Sequence, residues 1–187
     1  MSDDEDEKRR LHPAMILRGT CSAIRPVVGH GQFIDPKEGA IEKRQFSAAA
    51  PKWRHVGRGV NLEGSPECYH NSGSSRILTF IGHCENTACV SHLKGRIIHQ
   101  WGKRNFDFFA DEHLCACPVC HKYVQPISCG FYDTRWKISG IKKAGRGSPP
   151  EKVPGQWHTA AKEDGYITFD DNLTEQVEWK ELLIEVR

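Results

Sequence analysis

Residues 115–122 read Cys-Ala-Cys-Pro-Val-Cys-His-Lys, three cysteines and a histidine in eight positions. A second tight pair, Cys84 and Cys89, stands in Cys-Glu-Asn-Thr-Ala-Cys. Paired thiols serve metal binding, thiol–disulfide exchange or a disulfide framework, and the surroundings choose among these. The chain opens on the acidic run MSDDEDEKRR, and no apolar stretch of signal length follows. That predicts a reducing compartment, cytoplasmic or nuclear, where structural disulfides are rare. A redox Cys-x-x-Cys opens a helix. Here Tyr123 and Val124 favour a strand and Pro126 interrupts, which argues against a helix after Cys120.

Metal binding remains. Two loops that each aim two sulfurs at one point are the ligand pattern of a zinc ribbon, and zinc accepts four thiolates in a closed tetrahedron. The expected set is Cys84, Cys89, Cys117 and Cys120, with Zn2+ as the cofactor and no catalytic residue. Two alternatives for one ligand are Cys115 and His121. A glycine often follows the second cysteine of such a knuckle, because the chain turns left-handed there; this sequence has His121, a residue type enriched at positive φ. A second site from Cys68, His70 and Cys129 lacks a second tight pair, and Cys21 reads as a bystander. An enzymatic alternative exists. His83-Cys84-Glu85 followed by Cys117-Pro-Val-Cys120 resembles the zinc-deaminase layout of His-x-Glu then Pro-Cys-x-x-Cys. The proline here lies between the cysteines, and Cys84 and Cys89 would have no role.

The elements that must position these loops are short. The hydrophobic fraction is 38% and the net charge +2, so the core is modest and no strongly basic domain is evident. No run approaches the ~20 apolar residues of a membrane helix. Residues 1–50 read as an acidic, mostly irregular N-terminal segment, in which 11–50 are either poorly ordered or a covering arm. Residues 51–187 read as a small β-rich, zinc-stabilised domain of zinc-ribbon or treble-clef type with a minor helical part. Strands are predicted at 75–82, at 95–102, in two pieces across 122–141 with a bulge near 134–135, and at 164–169. Residues 57–67 read as a glycine-rich turn and 142–155 as a basic loop. Residues 106–113 fit a strand or a buried turn. Residues 174–186 fit a helix, or a strand that changes face at Val177, Trp179 and Leu183. A structural zinc site can contribute about 10–16 kcal/mol, against a domain stability of about 5–15 kcal/mol. One such site decides whether a fold of this kind persists.

The ordered motifs GVNLEG, CENTAC, CPVC and CGFYDTRW resemble a group of mostly uncharacterised protist and fungal zinc-ribbon-like proteins. Their pattern is GxNLxG, CxNxxC, CPxC and CGFYxCxW, and some occur beside ubiquitin-like domains. The resemblance spans about residues 57–140 and implies the same four cysteines as the metal set. It departs where an insertion separates Gly64 from Cys84, and where Asp133 replaces a cysteine. It also implies a protein partner such as ubiquitin or a ubiquitin-like protein; independently of it, the aromatic residues Trp53, Trp101, Phe108 and Phe109 are either partner contacts or core. The second expectation is a nucleic-acid-binding zinc ribbon using the basic stretches at 101–106 and 142–147.

Overall fold

The computed structural model describes residues 31–64, 84, 86–92, 94–143, 147 and 149–187. The expectations placed on the acidic tail, Cys21, Cys68, His70, the strand at 75–82, His83 and Glu85 lie outside these residues.

Side-chain alternation sets the longest strands. In β7 (Thr134–Lys143), Trp136 and Ile138 point inward while Arg135 is exposed. In β11 (Gln176–Val186), Val177 and Trp179 are buried, and then Leu182 and Ile184. The inward phase therefore shifts by one residue. A register break between Trp179 and Glu181 accounts for it, since Lys180 is an extra residue opposite β7. Of the two readings of this segment, the face-changing strand is the observed one, with Leu182 rather than Leu183 inside. Gly140 faces the bulge within β7 and does not end the strand. A Cβ there would stand 1.9 Å from the Glu181 carbonyl oxygen.

The remaining strands are β1 (Gln32–Ile34), β2 (Ile41–Arg44), β3 (Gly59–Gly64), β4 (Ile97–Gly102), β5 (Phe106–Asp107), β6 (Ser128–Tyr132), β8 (Glu151–Val153), β9 (His158–Ala160) and β10 (Tyr166–Phe169). Among the described residues they form two antiparallel sheets. One runs β1-β11-β7-β8, with β5 also on β11 and β9 on β7. The other runs β2-β10-β6-β3-β4. Side chains of both sheets share one apolar core, including Val60, Leu62, Phe131, Phe169, Trp136 and Trp179. The architecture is β-rich, two sheets packed face to face. Among the described residues no helix is long and apolar enough to cross a membrane.

Between β6 and β7 the chain changes sheet across a single residue. Asp133, at φ +48°, lies between the end of β6 and the start of β7. The expected bulge near 134–135 is this corner, and it lets Phe131 and Trp136 face the same core and stack at 4.2 Å. The glycine-rich turn expected at 57–67 is, through Gly64, the fully buried strand β3 between β6 and β4. Gly59 permits it, since its φ is +94° and a Cβ would lie 2.2 Å from the Gly102 oxygen. The loop expected at 142–155 contains the end of β7 and all of β8. Residues 106–113 combine β5 with a short helix, α1 (Phe108–Asp111), capped by the Asp107 carboxylate.

The boundary expected at residue 50 needs correction as well. β1 pairs with β11 and β2 with β10, so residues 31–50 follow the covering-arm reading and the sheets begin before residue 51. Short strands with few apolar residues hid this in the sequence; their register is supplied by distant partners.

Candidate metal centre

β4 and β6 both pair antiparallel with β3, so they run parallel to each other and start at the same end of their sheet. Cys84 and Cys89 stand in the stretch that leads into β4. Cys117 and Cys120 stand in the stretch that leads into β6. Strand pairing alone thus delivers both cysteine loops to one end of the fold, either side of the strand between them.

Local hydrogen bonds shape each loop. Ala116 and Tyr123 form an isolated antiparallel bridge, Val124 N–H donates to the Cys115 oxygen at 3.1 Å, and Cys117 N–H donates to the Lys122 oxygen at 2.9 Å. The result is a small hairpin with Cys117 and Cys120 at its tip. His121 N–H closes the tip on the Cys117 oxygen at 2.9 Å, and Val119 N–H points at Cys117 Sγ at 3.5 Å. His121 itself adopts φ +59°, the left-handed position anticipated for that residue. In the first loop, Cys89 N–H donates to the Asn86 oxygen at 2.8 Å, and His92 Nδ1–H donates to the Cys84 oxygen at 2.7 Å. His99 on β4 ties the second loop to the sheet, because its Nδ1 lies 3.0 Å from the Ala116 oxygen and 3.2 Å from the Ala116 nitrogen.

The sulfurs of Cys84, Cys89, Cys117 and Cys120 all lie within 4.8 Å of one another. The Cys84 and Cys120 sulfurs are 3.3 Å apart. Ser91, fully buried, stands between two others: its Oγ is 3.0 Å from Cys89 Sγ and 3.2 Å from Cys117 Sγ. Metal–sulfur bonds of about 2.3 Å in a tetrahedron require sulfur separations of about 3.8 Å, inside the observed span. Cys84, Cys89 and Cys117 are buried, and Ile97, Val124, Trp53 and Val119 pack around them. Trp53 Nε1 is buried there without a hydrogen-bond partner.

Electrostatics distinguish the thiols. Burial, and then the neighbouring Cys120, push Cys84 up to about 12. Burial also opposes ionisation of Cys120, yet the Lys122 backbone amide and the side chains of Cys84, Asn86 and Cys89 bring it down to about 6. Cys84 and Cys120 are thus pushed in opposite directions, and a cation is what would hold all four as thiolates.

The other candidates sit elsewhere. Cys115 and Cys129 are buried in the main core. Burial first, then the Glu112 and Asp111 charges, push Cys115 up to about 12; burial and then Glu63 push Cys129 well above its ordinary value. Both behave as packed thiols. His121 is exposed and outside the four-sulfur group. Of the aromatic contact candidates, Trp101 and Phe108 are core residues, Trp53 packs on the cysteines, and Phe109 is 49% exposed. Three basic residues of the expected nucleic-acid stretches have internal partners. Arg104 covers the Trp101 ring at 3.7 Å, Lys142 pairs with Asp35 at 2.8 Å, and Lys143 lies 4.0 Å from Glu178.

Two groupings had no signal in the sequence. Glu63 on β3 is fully buried, accepts from Arg96 Nη1 at 2.5 Å, Tyr166 OH at 2.5 Å and Thr168 Oγ1 at 3.1 Å, and Arg96 also reaches Asp171. Trp157 is surrounded by Arg135, Lys137 and Arg187. Both assemble residues far apart in the chain. Set against family models, curated proteins and solved structures, the chain gives no match.

Proposed function

We propose that this β-rich protein is a non-catalytic binding module locked at one sheet end by a structural zinc ion on Cys84, Cys89, Cys117 and Cys120, the two loops forming a zinc-ribbon-like clamp. The single observation that carries the reading is the convergence of four sulfurs from two separate loops within 4.8 Å. A zinc ion with four thiolates has no open position for water, so it contributes rigidity rather than a nucleophile. That speaks against the deaminase-like alternative, which needs His83 with two cysteines around an ion that keeps one open position.

For the partner, the resemblance to proteins found beside ubiquitin-like domains supports a protein ligand in a ubiquitin-related pathway. Phe109 is the exposed aromatic of the four candidates. Calorimetric titration of the zinc-loaded protein with ubiquitin and with a conjugating enzyme tests it; saturable binding supports the reading, and no heat at high concentration removes it. A specific surface observation favours the second reading, a nucleic acid. Metal analysis of the purified chain, with each cysteine changed in turn to Ser, tests the zinc clamp itself.

A further inference from the structure

The outer face of the β7-β11 sheet carries an aromatic residue ringed by cations. β9 pairs with β7 through Trp136 and His158, so Trp157 follows on beside Lys137. Arg135 and Arg187 exchange two backbone hydrogen bonds, at 3.0 and 2.9 Å, and so stand directly opposite each other. The Arg187 guanidinium lies 4.3 Å from the centre of the Trp157 ring, the Lys137 ammonium 5.3 Å and the Arg135 guanidinium 5.8 Å. Like charges directly opposite in an antiparallel pair are unfavourable. Glu185 pairs with Lys137. Among the described residues no carboxylate ion pair involves Arg135 or Arg187, so positive charge is left over around a half-buried indole.

The patch continues into an open groove of about 650 Å³ on the same face. Ser139 lines the groove two residues beyond Lys137, and Pro154 lines it beside Gly155, where a Cβ would stand 2.9 Å from Lys137 Cγ. At its far side stand the exposed ring of Phe109 and two further cations, Lys152 and Lys180, with the carboxylates of Asp107 and Glu181. The Asp107 carboxylate is occupied in capping α1. Rings and cations gathered on one surface match one class of ligand. Bases stack on aromatic rings while Lys and Arg take the phosphates.

We propose that this face binds single-stranded nucleic acid, with a base against Trp157 and phosphates on Arg135 and Arg187. The inference rests on reading the chain as a binding module and names the ligand for its second form. It does not involve the cysteine centre.

Anisotropy of labelled dT12 and U12, titrated with zinc-loaded full-length protein, tests it. Two phosphate contacts on a single strand predict affinity falling roughly 7-fold between 50 and 200 mM NaCl. Trp157→Ala is expected to weaken binding roughly 5- to 150-fold, and Trp157→Phe to restore part of it. The double change Arg135→Gln with Arg187→Gln should remove most of the salt effect. Thermal melts of each variant confirm that the fold is kept, and the surface arginine pair serves if Trp157→Ala melts early. Equal binding of wild type and Trp157→Ala, with heparin competing as well as oligonucleotide, marks a general polyanion surface and overturns the proposal. Wild type that carries its metal, melts cooperatively and ignores both strands also overturns it, while leaving the metal centre standing.

Discussion

The sulfurs of Cys84 and Cys120 lie 3.3 Å apart and join the two cysteine loops that separate strands deliver to one sheet end. Their ionisation is opposed in sign, Cys84 pushed up to about 12 and Cys120 down to about 6. Two thiols so close cannot both ionise without a cation between them.

Replacing a member of this set removes both a ligand and a fold constraint. Cys84→Ser and Cys117→Ser should each lose bound metal and most cooperative unfolding, since a structural site contributes on the order of the whole stability. Cys115→Ala and Cys129→Ala, which alter core packing only, should keep the metal and cost about 1–2 kcal/mol. Plasma-emission metal analysis and urea melts on the same samples read both effects.

His121→Gly relieves the left-handed backbone at φ +59°. The variant should retain full metal stoichiometry and gain about 0.5–1 kcal/mol, the cost a side chain incurs in that conformation. His121→Val should lose stability. A fall in metal content in the glycine variant would restore His121 as a ligand.

Glu63 is fully buried and compensates Arg96. Burial opposes the Arg96 charge, yet Glu63 and Asp171 keep its pKa above the ordinary value. Glu63→Ala leaves that guanidinium with the partly exposed Asp171 alone and should cost about 3–5 kcal/mol. Asp171→Asn should cost less, because water reaches that partner. Equilibrium unfolding of the two variants ranks them.

His99 gives the stability a pH dependence of known sign. Burial first, opposed by its contact with the Ala116 carbonyl and aided by Arg104, lowers its folded pKa below the ordinary 6.5. Between the folded value and about 6.5 the unfolded chain binds more protons, so stability rises with pH across that window and is lost as pH falls through it. The slope from this residue is at most about 1.4 kcal/mol per pH unit. In His99→Gln that slope should flatten, while stability above pH 7 changes little from this cause. Urea midpoints at pH 5.5, 6.5 and 7.5 measure it.

The cysteine set was legible in the sequence because ligand spacing is a local property: each pair closes its own short turn. So was the left-handed step at His121, which follows from the same turn. The strands β4 and β10 showed through their apolar content and bounding glycines. β3 did not, because buried Asn61 and Glu63 break its alternation. Asn61 exchanges bonds with the Gly57 backbone, and the Glu63 charge is met by Arg96 from a distant element. β1 and β2 were hidden by brevity, and the Trp157 cluster by distance, since β9, β7 and the end of β11 must pair before Arg135 and Arg187 meet around the ring.

The central claim is that four sulfurs from two loops close on one zinc ion. X-ray absorption at the zinc edge, with metal stoichiometry on the same purified protein, tests it most directly. The account predicts one zinc per chain with a shell of four sulfurs at about 2.3 Å. A shell containing nitrogen or oxygen, or a cooperatively folded chain without metal, would contradict it.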